Sequence, residues 1–285
     1  MSGRHRERGN AVLPTSFSVV TPNLNMAHFL PETIESVLAN LVGGDEYFVI
    51  DGGSMDASVQ VIRQYSDRLT GWTSEPDHGY AEALYKGFQR CTGEYLCWIN
   101  SGDLLLKGAL QIAREYLSTF NADLIFGDDV YIDEHGLVLF RSSGRVTSLR
   151  NMMLYGGWTP LQDACFWRRS LYEEMHGIDK CLVYAADYDF FLRAACHGHC
   201  LYIPKTLSAF RRHLQQKSVA HSRKYQIERN LARKRVLQKL GTSAPKRAMG
   251  ELYYWLIVRI RHHLVNRVRI LPSNPGTHVC ELSAG

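Results

Sequence analysis

The apolar positions of this chain change period along its length. In "SFSVVTPNLN" they form a short β-branched run that stops at Pro22 and two asparagines, as a buried strand would. "AHFLPETIESVLANL" then places Phe29, Leu30, Ile34, Val37, Leu38 and Leu41 on one helical face. The alternation continues with strand "EYFVI", helix "DASVQVIRQYSDRL" entered through the N-cap types Ser54 and Asp56, and, after a connection "LTGWTSEPDHG", helix "YAEALYKGFQRC". Strand "EYLCWI", helix "LLKGALQIAREYLSTF" and strand "ADLIFGDDVYID" follow. In the second half "ACFWRRSLYEEMHGID" and "YDFFLRAACHGH" read as helices and "CLYIPKTLSAFRRH" as a late strand with its exit loop. Strands alternating with helices predict right-handed βαβ units, hence an α/β domain with a mainly parallel central sheet and flanking helices.

Composition narrows this only a little. A chain of 285 residues, 45% hydrophobic and 21% charged, can bury a substantial core and reads as globular. No run of eighteen uncharged apolar residues is present to predict a spanning helix. The basic start "MSGRHRERGN" leads into no apolar segment of the signal-peptide kind. Seven scattered cysteines with no framework spacing predict reduced thiols in a cytosolic compartment. The expected organisation is a disordered basic lead over 1–15, the main domain over 16–222, a basic amphipathic helical extension over 223–271 and a flexible tail over 272–285. The net charge of +5 gathers late, in "RRHLQQKSVAHSRKYQIERNLARKRVLQK" and "VRIRHHLVNRVRI".

Ligands of open parallel sheets bind at the carboxyl ends of the strands. Here those ends carry Asn23 and Asn25, then Asp51 and Asp56, then Asn100 and Asp103. The glycines of "FVIDGGSMD" let the chain turn beside a ligand after Asp51, while Asp56 reads as a helix cap. No G-x-G-x-x-G and no P-loop is present, so a phosphorylated ligand would need a cation. Asp103, closing "CWINSGD", offers hard oxygen ligands for Mg²⁺ or Mn²⁺. Asp187 and Asp189 open the helix of "AADYDFFLRAA", where the helix dipole favours the ionised form. "CHGHC" has metal-ligand residue types but reads as a helix end running into a strand. Trp158, Phe166 and Trp167 read as core aromatics.

Eight stretches, "SVVTPNLN", "EYFVIDGGSMDAS", "SEPDHGYAEALYKGF", "GEYLCWINSGD", "ADLIFGDD", "PLQDACFWRRSLYEEMHGID", "AADYDFFLRAA" and "FRRHLQQKS", occur in the order found in family 2 glycosyltransferases of the bacterial polysaccharide-assembly type. The chain resembles that family from about Ser16 to Ser218. The resemblance implies a GT-A fold, Rossmann-like, and an inverting, metal-dependent transfer of a hexosyl-type sugar from a nucleotide-sugar donor to a hydroxyl. It implies that Asp51 reads the nucleobase, with Pro22, Asn25, Asp77 and Asn100 in the donor nucleotide site. Asp103 would be the second acid of a DxD-type metal motif, with Gly102 standing where the first acid is usual. Asp187 would be the catalytic base and Asp189 its support, and Arg212, His213 and Lys217 would meet the leaving diphosphate. Glu82 and Tyr85 also depart from the family's usual Asp and Asn.

The acceptor expected from the resemblance is a glycan or a polyprenyl-diphosphate-linked sugar, which would place the protein in the cytoplasm at the inner face of the plasma membrane. The segment "GELYYWLIVRIRHHLVNRVRIL", within 250–271, is too charged to span a bilayer. Its mixture of aromatics and arginines suits a helix lying on a membrane surface, docking on a partner or packing back on the domain. A catalytically silent nucleotide-sugar-binding or scaffolding protein is the alternative. Paired carboxylates also serve glycoside hydrolases, but nucleotide-type strand ends argue against hydrolysis. No nucleic-acid-binding module accompanies the basic tail.

Overall fold

The structure, a computed structural model, describes residues 15–144, 148–156, 159–213, 222–265 and 277–284. Among these residues nine strands form one sheet: β1 (Phe17–Asn23), β2 (Glu46–Asp51), β3 (Gly71–Ser74), β4 (Tyr95–Trp98), β5 (Leu104–Leu105), β6 (Leu124–Ile132), β7 (Val138–Ser142), β8 (Cys165–Arg168) and β9 (Cys200–Arg211). Their order is β3-β2-β1-β4-β8-β6-β9-β5, with β7 paired to β6. β1 to β4 are mutually parallel, and β6 and β9 are parallel to each other. β8 runs antiparallel to both of its neighbours, β4 and β6. All seven residues of β1 are buried, as expected of a strand covered on both faces.

Helices α1 (Leu30–Leu38), α2 (Ser58–Gln64), α3 (Tyr80–Phe88), α4 (Ala109–Thr119), α5 (Leu149–Gly156), α6 (Arg169–Glu174) and α7 (Ala186–His197) flank the sheet, followed by α8 (Ser222–Lys239) and α9 (Ala244–Val265). The main core runs along the sheet, and its aromatic part lies where α3 and α7 meet β4 and β8. There Trp98 and Trp167 pack with Phe88, Phe190 and Phe191, ring centroids 5.0–6.2 Å apart. Each such side chain contributes roughly 1.5–3 kcal/mol by leaving water. Phe166 and Trp167 are core, as expected, and Trp158 lies outside the described residues.

The structure corrects the sequence reading in several places. "ACFWRRSLYEEMHGID" opens as strand β8, and only Arg169–Glu174 is helical. Cys165, Phe166 and Trp167 are buried between two strands, and so short an apolar run has no period to separate strand from helix. "LTGWTSEPDHG" contains the edge strand β3, and β7 and α5 arise where the pattern predicted neither. Residues 277–284, expected in a flexible tail, return to the sheet edge: Val138 N–H donates to Thr277 O at 3.0 Å, and Val279 is buried.

Within the expected extension over 223–271, Ala232, Val236 and Leu237 of α8 join the main core. α9 packs on α5, and Arg233 of α8 pairs with Glu251 at 3.4 Å. Met249, Leu252, Tyr253 and Leu256, at helical spacing, are exposed. No helix among the described residues is long and apolar enough to cross a membrane. Residues 1–14 and 266–271, part of the expected lead and extension, lie outside the described residues.

Candidate active site

A cavity of about 420 Å³ opens at the carboxyl edge of the sheet. Of the expected site residues it brings together Pro22, Asp77, Asn100, Asp103, Asp187 and His213. Asn25, Asp51, Asp189 and Arg212 are not on its wall, and Lys217 lies outside the described residues.

Asp51 is fully buried, and its two oxygens accept four hydrogen bonds of 2.5–2.9 Å from Asn23 Nδ2, Ser54 N, Ser54 Oγ and Ser74 Oγ. Burial alone would raise its pKa, but these donors together hold it below the usual carboxylate value. Asn23 in turn accepts from Ser101 Oγ at 2.8 Å, tying the end of β2 to the loop after β4. Asn25 adopts φ 53° and joins the same latch, its N–H on Ser54 Oγ and its Oδ1 taking Met55 N–H. Gly52 is needed for Asp77: a Cβ there would sit 2.7 Å from Asp77 Oδ2. The double glycine of the "DGG" turn therefore lets a second acid approach the end of β2.

The turn Asn100–Asp103 follows β4. Gly102 has φ +106°, a conformation that L side chains rarely adopt, which accounts for glycine where an acid is usual. Asp103 Oδ1 accepts the Arg211 N–H at 3.1 Å, while Oδ2 has only long amide contacts, 3.3 Å from Gln162 Nε2 and 3.4 Å from Asn100 Nδ2. Arg211 is fully buried at the end of β9. Its guanidinium is used by Gly102 O, Asp133 O, Glu134 O and the Glu32 carboxylate.

Two further buried acids, Asp129 and Asp163, lie behind this turn. Burial, with the charge of Asp163 next, pushes Asp103 well above the usual carboxylate range and Asp129 up to about 9; burial pushes Asp163 up to about 6. No set of three His, Cys, Asp or Glu side chains among the described residues is placed to hold a metal ion. A cation here would rest on Asp103 alone, through its weakly occupied Oδ2. That fits Mg²⁺ or Mn²⁺, which complete their shells with water and phosphate oxygens.

Asp187 lines the cavity at the entrance of α7. Its Oδ1 accepts from Tyr188 N at 2.7 Å and lies 3.4 Å from the Tyr80 hydroxyl. Against the helix dipole, which favours the ionised form, burial pushes it up to about 6, still ionised at neutral pH. Asp189, expected as its support, is buried and paired with Arg193 at 2.7 Å. His213 packs its ring 5.5 Å from Phe29, and burial lowers its pKa, so at neutral pH it meets the cavity uncharged. Arg212 is exposed, its N–H on Ile132 O.

Residues 18–175, more than half of the chain, match the family model described as glycosyl transferase family 2. The chain belongs to that family. An uncharacterised glycosyltransferase of Mycobacterium tuberculosis is 30% identical over 184 residues, covering 62% of this chain and 68% of the relative. A PGL/p-HBAD biosynthesis glycosyltransferase of Mycobacterium bovis is 25% identical over 187 residues, with the same coverage of 62% and 68%. Among solved structures, S. aureus TarS 1-349 in complex with UDP-GlcNAc aligns with TM-score 0.66 and 15% identity, over 90% of this chain and 76% of that one. The full TarS chain is covered over 37% of its length. Mannosyltransferase PcManGT from Pyrobaculum calidifontis, in complex with GDP-Man and Mn²⁺, aligns with TM-score 0.59 and 15% identity, over 90% and 76%. The curled, mostly parallel sheet with flanking helices is thus the GT-A fold.

For this glycosyltransferase the sequence reading missed Tyr80, Gln162, Tyr184 and Tyr225, all on the cavity wall. Gln162 escaped because β8 is reversed, so its amino end rather than its carboxyl end reaches the rim. "PLQDACFW", two polar residues before an apolar run, was the available signal.

Proposed function

We propose that the protein transfers a sugar, with inversion at the anomeric carbon, from a nucleotide-sugar donor to a hydroxyl of a glycan or lipid-linked acceptor. Asp187, in the same cavity as Asp103 and raised to about 6, carries this reading. A general base works best when its pKa lies near the working pH, and a carboxylate at about 6 is ionised at neutral pH yet more basic than a solvated one. Asp187 takes the proton of the acceptor hydroxyl as that oxygen bonds to the anomeric carbon. The bond from that carbon to the diphosphate oxygen breaks, and the nucleoside diphosphate leaves with the electron pair.

Pro22, Asp77 and Asn100 line the nucleotide end, and Asp51 sets that end by holding Asn23 and the Ser54 loop. Asp103 would hold a divalent cation, which when bound supplies positive charge to the donor diphosphate. His213, with Arg212 and Lys217 on the segment that follows, would hydrogen-bond the leaving group. Support comes from the structural neighbours in complex with UDP-GlcNAc or with GDP-Man and Mn²⁺, and from the mycobacterial relative named for PGL/p-HBAD biosynthesis.

Thermal shift with UDP-GlcNAc, GDP-mannose and UDP, each with and without Mn²⁺, tests this on wild type and Asp103→Ala. One nucleotide class should raise Tm by roughly 5 °C at saturating concentration, only with metal and far less in the variant. No shift with any of them in wild type would remove the nucleotide-sugar reading.

A further inference from the structure

Asp187 does not set its own position. α7 begins at Ala186 after Ala185, a residue that offers no side chain to the free N–H groups of the helix start. The three N–H groups just before the helix are nevertheless satisfied, and all by one side chain. Glu228 of α8 accepts Val183 N at 3.2 Å on Oε1, and Tyr184 N at 2.7 Å and Ala185 N at 2.9 Å on Oε2. Charge-assisted bonds of this kind are the stronger ones in proteins, and three on one carboxylate fix a turn in both place and direction.

Glu228 is itself held firmly. Ala232, Val236 and Leu237 anchor α8 in the core, and Arg229 lies over the Tyr188 ring at 5.8 Å. Lys224 reaches the Tyr184 hydroxyl at 3.3 Å, and Tyr225 brings α8 to the cavity wall. From the opposite side Tyr80 of α3 takes the Asp187 N–H at 3.2 Å. Asp187 therefore sits between an α3 hydroxyl and a turn clamped by α8.

We propose that Glu228 is a positioning residue of the transfer: by clamping the turn Val183–Ala185 to α8 it fixes the Asp187 carboxylate in the cavity. The proposal rests on the reading of Asp187 as the base. Of the other titratable groups that face Asp187, Tyr80 of α3, Tyr225 of α8 and Cys165 of β8 are pushed up by burial and stay neutral, which makes Glu228 the acidic neighbour.

Glu228→Gln keeps the size of the side chain but offers one acceptor oxygen in place of two. Hydrogen exchange on the protein alone should be at least about tenfold faster at the amides of 183–185 and unchanged in β1 and β2. The Asp187 carboxyl, followed by carbon NMR, should titrate at lower pH once the neighbouring charge is gone. With whichever of UDP-GlcNAc or GDP-mannose the wild type turns over, kcat should fall about tenfold to a hundredfold with the donor KM within about twofold, and Glu228→Asp should recover part of it. Unchanged exchange and an unchanged Asp187 titration overturn the proposal. So does faster exchange with wild-type kcat, which would leave Glu228 a structural cap. Wild-type turnover in Asp187→Asn would sink the base assignment instead, and the exchange result would stand apart from it. Should Glu228→Ala fail to fold, the glutamine variant decides.

Discussion

Asp51 and Asp187 are both carboxylates at the rim of one sheet, the first fully buried and the second half-buried, and the protein treats them in opposite ways. Around Asp51 four donors converge, and their sum outweighs burial, so the charge is fixed. Around Asp187 there are one short backbone bond and one long hydroxyl contact, and burial wins. Donor count, more than depth, separates an acid that braces a loop from one able to accept a proton. The end of β2 belongs to the first kind, its polar atoms joined in one latch from Ser101 through Asn23 to Asp51. In the half built from β8, α7 and α8 the acids differ among themselves: Glu228 accepts three N–H bonds and Asp189 is paired with Arg193, while Asp187 is left with few donors.

The contrast is sharpest at Asp187. Asp187→Asn should lower kcat by about a thousandfold, within the range ascribed to a general base, and turnover at saturating donor would show it. The same change should raise stability at pH 7 by about 1–2 kcal/mol in urea titration. The sign follows from the raised value: the folded state binds the proton more tightly than the unfolded chain, so stability present below about 4 is lost as pH rises through about 6. A neutral side chain escapes that loss. If Asp187→Asn is instead destabilised at pH 7, burial is not what governs this acid.

Asp51 should behave in the reverse sense. Its lowered pKa contributes stability that is present above the ordinary carboxylate value and lost as pH falls through the folded one. Asp51→Asn sets an amide against the converging donors of Ser54 and Ser74 and should cost about 2–3 kcal/mol at pH 7, again by urea titration. A cost under about 0.5 kcal/mol would mean the latch is not what holds the rim. The smallest effect is expected at Gly52→Ala, whose Cβ would press on the movable end of Asp77. It should cost about 1 kcal/mol and weaken donor binding a few fold by calorimetry, and unaltered donor affinity would take Asp77 out of the nucleotide site.

The sequence disclosed the first half better than the second for a physical reason. β1, β2 and β4 are contiguous buried runs that end in polar residues, and the strand ends name Asn100 and Asp103 directly. Asp187 was legible through its residue type at a helix start. β8 was not, because four apolar residues have no period, and its reversal hid Gln162. Asp51 was placed against the ligand because a chain of letters does not count hydrogen-bond donors. Glu228 was lost inside a stretch that reads as a basic helical extension, yet it is the one acid of α8, and an isolated charge of the opposite sign was the clue on offer.

The clamp on Asp187 also gives the protein an order of assembly. Glu228 follows the turn it holds by 43–45 residues, so a chain leaving the ribosome exposes the whole β1–β4 rim before the helix that holds that turn exists. On the reading proposed above, the residues assigned to the donor nucleotide would be synthesised before the residue that positions Asp187.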